Sequence, residues 1–131
     1  MDFILQQGPT AATVTTAGIT SFLVTLPEAP TQGNEIVAII TYSTVSNVAS
    51  IIQTGVTWAQ ATSSTSNYNK IALWYGIVGV SPVAAANITM TGGIVEGESG
   101  FTAIMCEYSG LDTVNPLDQT STSSGNNING Y

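Results

Sequence analysis

Basic residues are almost missing from this chain. Its 131 residues hold one lysine, Lys70, no arginine and no histidine, against eight acids, for a formal net charge of -7. Nucleic-acid binding needs Lys and Arg to neutralise phosphates, so the composition argues against it. Without histidine no Ser-His or Cys-His nucleophile can be assembled, and the usual general base near neutral pH is gone. One cysteine, Cys106, excludes an intrachain disulfide; mid-strand among apolar neighbours, it reads as a buried, inert thiol and does not fix the redox compartment. No segment approaches the ~20 apolar residues of a membrane span. Met1 to Leu5 lacks a basic n-region and a long apolar h-region and is not a signal peptide; either a signal was removed earlier or export is unnecessary, as for a virion protein released by lysis. Charged residues make up only 7%, against about a quarter in ordinary globular proteins. Ser, Thr, Asn and Gln must supply the hydration instead, and tryptic sites nearly vanish, which suits a protein living among secreted proteases.

What is present is strand. Asn34 to Ser43 (N-E-I-V-A-I-I-T-Y-S) follows the turn Pro30-Thr31-Gln32-Gly33 and is apolar from Ile36 to Ile40. A β-branched run bounded by turn residues predicts a central strand buried on both faces. Ile71 to Val78 and Phe101 to Tyr108 match it in length and apolarity. Weaker strands are expected over Phe3–Gln6, within Thr10–Thr20, and over Ser21–Leu26, Val48–Gln53, Val56–Thr62 and Ala86–Met90. Pro27 and Pro30 cannot donate to a ladder and mark a corner. The pattern gives one all-β domain, an antiparallel β-sandwich or jelly roll of about seven or eight strands. It divides into an N-terminal strand or arm (1–9), the sandwich (10–119) and a polar tail (120–131). Ile36, Val37, Ile39, Leu73, Trp74, Ile104 and Met105 are the expected core, because central strands carry apolar residues on both faces.

Three stretches together carry a resemblance: A-P-T-Q-G-N-E-I-V-A-I-I at 29–40, K-I-A-L-W-Y-G at 70–76 and E-Y-S-G-L-D-T-V-N-P-L-D at 107–118. Over roughly residues 22–120 the chain resembles largely uncharacterised β-sandwich modules of large secreted bacterial surface proteins and phage structural proteins. The resemblance implies extracellular or virion-surface architecture and no reaction. Such modules continue past the P-L-D loop with further strands, whereas here a polar tail follows.

The side chains that could carry chemistry each have a plainer reading. Paired carboxylates, Glu96 with Glu98 or Glu107 with Asp112 and Asp118, could serve a glycosidase only at defined separations. Glu107 alternates with Phe101, Ala103 and Met105. A buried carboxylate must find partners or neutralise, so it is expected to bond amides of the S-G-L-D loop or to meet Lys70. Asp112, Asn115 and Asp118 could offer oxygens to calcium or cap a tight loop through Asx-turns. Trp58, Trp74, Tyr75, Tyr42 and Tyr68 could stack on sugars, although strand tryptophans are more often core; Tyr68, in a polar loop, is the exposed candidate. Asn87-Ile88-Thr89 is the one N-x-[ST] acceptor, and the Ser/Thr-rich stretches at 62–66 and 120–124 could carry O-linked sugars.

No cofactor, membrane span or nucleic acid is implied. The expectation is a non-enzymatic subunit of an extracellular filament or surface fibre, a homo-polymer with glycans as possible partners. A phage tail or capsid-decoration protein and a carbohydrate-binding module are the alternatives. Phe3, Ile4 and Leu5, set off by Gly8-Pro9, are the candidate assembly residues: the arm could leave its own domain and add to a neighbour's sheet, or pair at home.

Overall fold

Alternation along each strand decides which side chains meet. In a computed structural model that describes residues 2–123, the chain forms eight strands: β1 (Ile4–Val14), β2 (Ser21–Thr25), β3 (Glu35–Ser43), β4 (Val48–Ile52), β5 (Val56–Thr65), β6 (Asn69–Val78), β7 (Ala85–Met90) and β8 (Phe101–Ser109). All pair antiparallel in two sheets, one of five strands in the order β1-β8-β3-β6-β5 and one of three in the order β2-β7-β4. No helix occurs among the described residues. The fold is the expected all-β sandwich.

β3 lies at the middle of the larger sheet, paired with β8 and β6 along its length. Ile36, Ala38, Ile40 and Tyr42 point inward from it, beside Phe101, Ala103 and Met105 of β8 and Ala72 and Trp74 of β6. Phe22 and Val24 of β2, Ile88 and Met90 of β7 and Ile51 of β4 close over them. Phe22 stacks on Phe101 with ring centroids 6.1 Å apart. Gly76 belongs to the same interior, as the register partner of Trp58. A Cβ at Gly76 would stand 2.9 Å from the indole Cδ2, so only a residue without one lets the ring lie over the strand.

Two sequence expectations change. β3 is not buried on both faces. Ile39 and Ile104 are 38% and 37% exposed, and Val37 and Leu73 are half-buried; Ile36, Trp74 and Met105 alone of the expected seven are buried. The reason is the inequality of the layers: three strands cover one face of the five-stranded sheet, and among the described residues its outer face has no second sheet. Residues 4–9 are the first part of β1 rather than a separate arm. β1 runs unbroken through Gly8-Pro9 and pairs with β8 from Ile4↔Ser109 to Val14↔Phe101, which is pairing at home. Part of the polar tail, residues 124–131, lies outside the described residues.

The interior generates a paired prediction. Trp74→Ala should cost roughly 3–5 kcal/mol, as large-to-small core changes do. Gly76→Ala adds one methyl group yet should cost about 1–3 kcal/mol by overpacking. Urea unfolding of both variants measures this, and a Gly76→Ala protein as stable as the parent would remove the close packing of Trp58 on β6.

Candidate functional site

A bulge in β1 prepares a buried polar cluster around a carboxylate. Leu5 pairs with Tyr108 and Gln7 with Glu107, so Gln6 is an extra residue; a second shift follows before Thr10↔Met105. Bulges of this kind re-aim side chains. Gly8 makes the second shift possible: its φ is 101°, and a Cβ would come within 2.6 Å of the Met105 carbonyl oxygen. Gln7 is thereby brought to Glu107.

Glu107 is 1% exposed. Its Oε1 accepts from the Thr31 amide at 2.8 Å and from Asn34 Nδ2 at 2.6 Å, and its Oε2 accepts from Gln7 Nε2. The Gln7 side chain then pairs with the Glu28 backbone, donating to its carbonyl at 3.2 Å and accepting from its amide at 3.1 Å. Neither expected partner of Glu107 is used. The amide it binds belongs to the turn before β3 rather than to the S-G-L-D loop, and Lys70 donates elsewhere, to the Ser46 carbonyl and Asn47 Oδ1, each at 3.1 Å. The cause is direction: Glu107 points inward at the sheet end where the Pro27–Asn34 corner crosses, while the loop after β8 continues away from it. A cavity of about 350 Å³ opens beside the cluster, lined by Gln6, Pro27, Glu28 and Ala29 among others. With every donor neutral and both oxygens occupied, the carboxylate ties β1, β8 and the β2–β3 corner together.

The remaining sequence candidates are scattered. Asp112 Oδ1 accepts from the amides of Val114 at 2.9 Å and Asn115 at 3.2 Å, an Asx-type cap that holds its pKa below the ordinary carboxylate value. Asp118 is exposed, and among the described residues no three metal-ligating side chains come together. Asn87 is exposed on β7, between its register partners Leu23 and Ile52. Cys106 is half-buried and faces outward beside Gly8, so the expectation of a buried thiol is corrected; among the described residues the outer face it shares lacks a covering sheet. Trp58 and Trp74 face the interior, and Tyr68 is 79% exposed.

The outer face of the five-stranded sheet is the larger feature. Across it β8, β3 and β6 present Ile104, Ile39 and Leu73 in one register row, with Ile71 nearby. Residues 121–123 lie over part of this surface and leave a groove of about 310 Å³ above Ile39, Ile71 and Leu73; Ser64 Oγ donates to the Ser123 carbonyl at 3.5 Å. Phe3, Ile4 and Leu5 are 67%, 57% and 47% exposed at the start of the edge strand. Glu35, at the head of β3 on the outer side, is 4% exposed, and its Oε2 has no hydrogen-bond partner among the described residues. Burial raises its pKa above the ordinary 4.5. Sequence reasoning passed over Gln7, Asn34 and Glu35; the Q-Q-G-P break inside a strand was the available signal for the first.

The two buried carboxylates should respond differently to change. Glu107→Ala leaves Asn34 and Gln7 as buried donors without an acceptor and should cost on the order of 3 kcal/mol, with Glu107→Gln costing less because one acceptor oxygen remains; denaturant unfolding checks the order. For Glu35 the native state binds its proton more tightly than the unfolded chain. Stability attributable to this group is therefore greatest below about pH 4.5, falls as pH rises toward the raised native value, and is constant above it. Melting from pH 4 to 8 should show the Glu35→Gln protein losing less stability than the parent over that rise.

Compared with protein-family models, with curated proteins and with solved structures, the chain matches none of them.

Proposed function

We propose that the protein is a non-enzymatic structural subunit of an extracellular filament or surface fibre, assembled from copies of itself through its β-sheet surfaces. The observation that supports this most is the outer face of the five-stranded sheet. Ile39, Ile71 and Ile104 keep 38%, 45% and 37% of their surface exposed there, where a one-sided antiparallel sheet normally turns polar residues to water. Exposed apolar patches of this kind mark association surfaces. The edges are less suited to extension, because β1 and β5 each carry a register shift, a device that blunts edge pairing. Since β1 is paired with β8 throughout, strand donation would require it to leave its own sheet; association through exposed side chains needs no such step.

A surface with few charges also needs hydration from another source. Sugar on Asn87 would cover Leu23 and Ile52, its exposed register partners, at 61% and 65% exposure. The carbohydrate-binding reading is weaker, since both tryptophans face inward and the stacking platform reduces to Tyr68.

Negative-stain microscopy and sedimentation of the purified native protein test the reading. Filaments forming without other proteins are expected. Recovery only with virus particles would move the assignment to a virion protein, and a monomer that binds glycans would overturn the structural role. Intact-mass measurement of native material should exceed the bare chain; equality would remove the sugar.

A further inference from the structure

The acceptor Asn87-Ile88-Thr89 does not lie in a loop. It sits inside β7, the middle strand of the three-stranded sheet, with Asn87 in register between Leu23 of β2 and Ile52 of β4. Thr89 is held in the same way between Ser21 and Ser50. Ile88, between them, is fully buried and ties the strand to the core. Asn87 faces the outer side of this sheet, where Leu23 and Ile52 also stand exposed.

An exposed asparagine in this setting is not an accessible one. To receive a sugar, its amide nitrogen must displace the phosphate leaving group of an activated glycosyl donor. The N–C bond forms, the C–O bond to phosphate breaks, and the nitrogen gives up one proton. The enzyme must enclose that nitrogen and also read the hydroxyl two residues on. Neighbouring strands lie about 4.8 Å away on each side, and leucine and isoleucine reach as far from the backbone as asparagine does. The Asn87 nitrogen is therefore level with its flanks, and a strand paired on both edges cannot bend into an enclosing cleft. Surface loops are the usual place for such acceptors because they can.

Chain order provides the interval in which β7 is free. β2 and β4 precede it, but β8 is the last strand among the described residues. β8 joins β1 to β3 in the larger sheet, and its Phe101 stacks on Phe22 of β2. Until β8 has been made, the inward row Ala86, Ile88 and Met90 lacks Phe101, Ala103 and Met105 from the apolar layer it belongs to. A sheet whose apolar face is not yet covered has little to hold it closed.

We propose that Asn87 is glycosylated only while β7 is unpaired, by a transferase acting on the chain during its synthesis or export, and that closure of the sandwich by β8 ends the modification. The inference rests on the reading that Asn87 carries sugar, and adds which state of the chain is the substrate. Folded subunits and their assemblies are not substrates, so the extent of modification is set by competition between transfer and folding.

The full chain made in cells without such a transferase, a purified oligosaccharyltransferase and a lipid-linked oligosaccharide donor decide it. Three forms are followed by intact mass: the folded parent, Phe101→Asp, and Phe101→Asp combined with Thr89→Ala. Phe101 is fully buried, so an unpaired carboxylate there opposes closure. Loss of cooperative melting checks this, and Met105→Asp is added if melting persists. The Phe101→Asp chain should gain sugar and its Thr89→Ala form should not. The folded parent should react at least about a hundredfold more slowly, because only its small unfolded fraction can be modified. A folded parent modified as fast as the open chain overturns the inference and leaves sugar on Asn87 standing. No transfer to the open chain, or equal transfer to its Thr89→Ala form, overturns both.

Discussion

The inequality of the two sheets governs the rest of this molecule. Three strands can cover one face of five, and the apolar layer between them, from Phe22 and Ile88 across to Ile36, Trp74 and Met105, uses up the inward half of every strand. Hydrophobic burial is proportional to area removed from water, so this single layer supplies most of the driving force for folding. The outward half of the large sheet is left to find its own cover. Ile39, Leu73 and Ile104 are as apolar as their inward neighbours, yet what lies over this face among the described residues includes the Ser/Thr segment 121–123. A central strand with two apolar faces and one covering sheet is the physical basis of the proposed association surface.

The open end of the sandwich is held by polar rather than apolar means. Glu107 continues the inward row of Phe101, Ala103 and Met105 to the point where the covering layer runs out. There a carboxylate collects a turn amide, an asparagine and the bulged Gln7. A buried charge is tolerated only when its oxygens are occupied, and occupying them fixes the position of three separate chain segments. The bulge around Gly8 is therefore connected to the closure of the fold as much as to the edge of the sheet.

The same scarcity of charge that argues against nucleic-acid binding leaves the surface dependent on hydroxyl and amide groups for hydration. Lys70, the one cation, is spent on the Ser46 carbonyl and Asn47 at the far end from Glu107. Of the acids that sequence spacing grouped at the C-terminal end, Asp112 caps a turn, Glu107 is an interior tie and Asp118 is exposed, while Glu35 lies covered on the outer side. What remains prominent is surface shape and apolarity, which is the ground of the proposed structural role.

Local sequence determined where the strands are. The β-branched runs and the Pro, Gly and Asn breaks place seven of the eight within a few residues, because strand formation and turn chemistry depend on neighbours a few positions apart. It also determined that Glu107 must be partnered, since its alternation with Phe101, Ala103 and Met105 sets it in the interior. Tertiary structure alone decided which partners it has, because Gln7, Thr31 and Asn34 reach it from 100, 76 and 73 residues away. It alone decided that Phe3–Gln6 and Thr10–Val14 are one strand, since the ladder to β8 carries β1 across a Gly-Pro pair that reads locally as a break. And it alone decided that Ile39 and Ile104 face outward, with no covering sheet among the described residues. An apolar run looks the same whether one or both of its faces are covered; only the number of strands assigned to each layer distinguishes them.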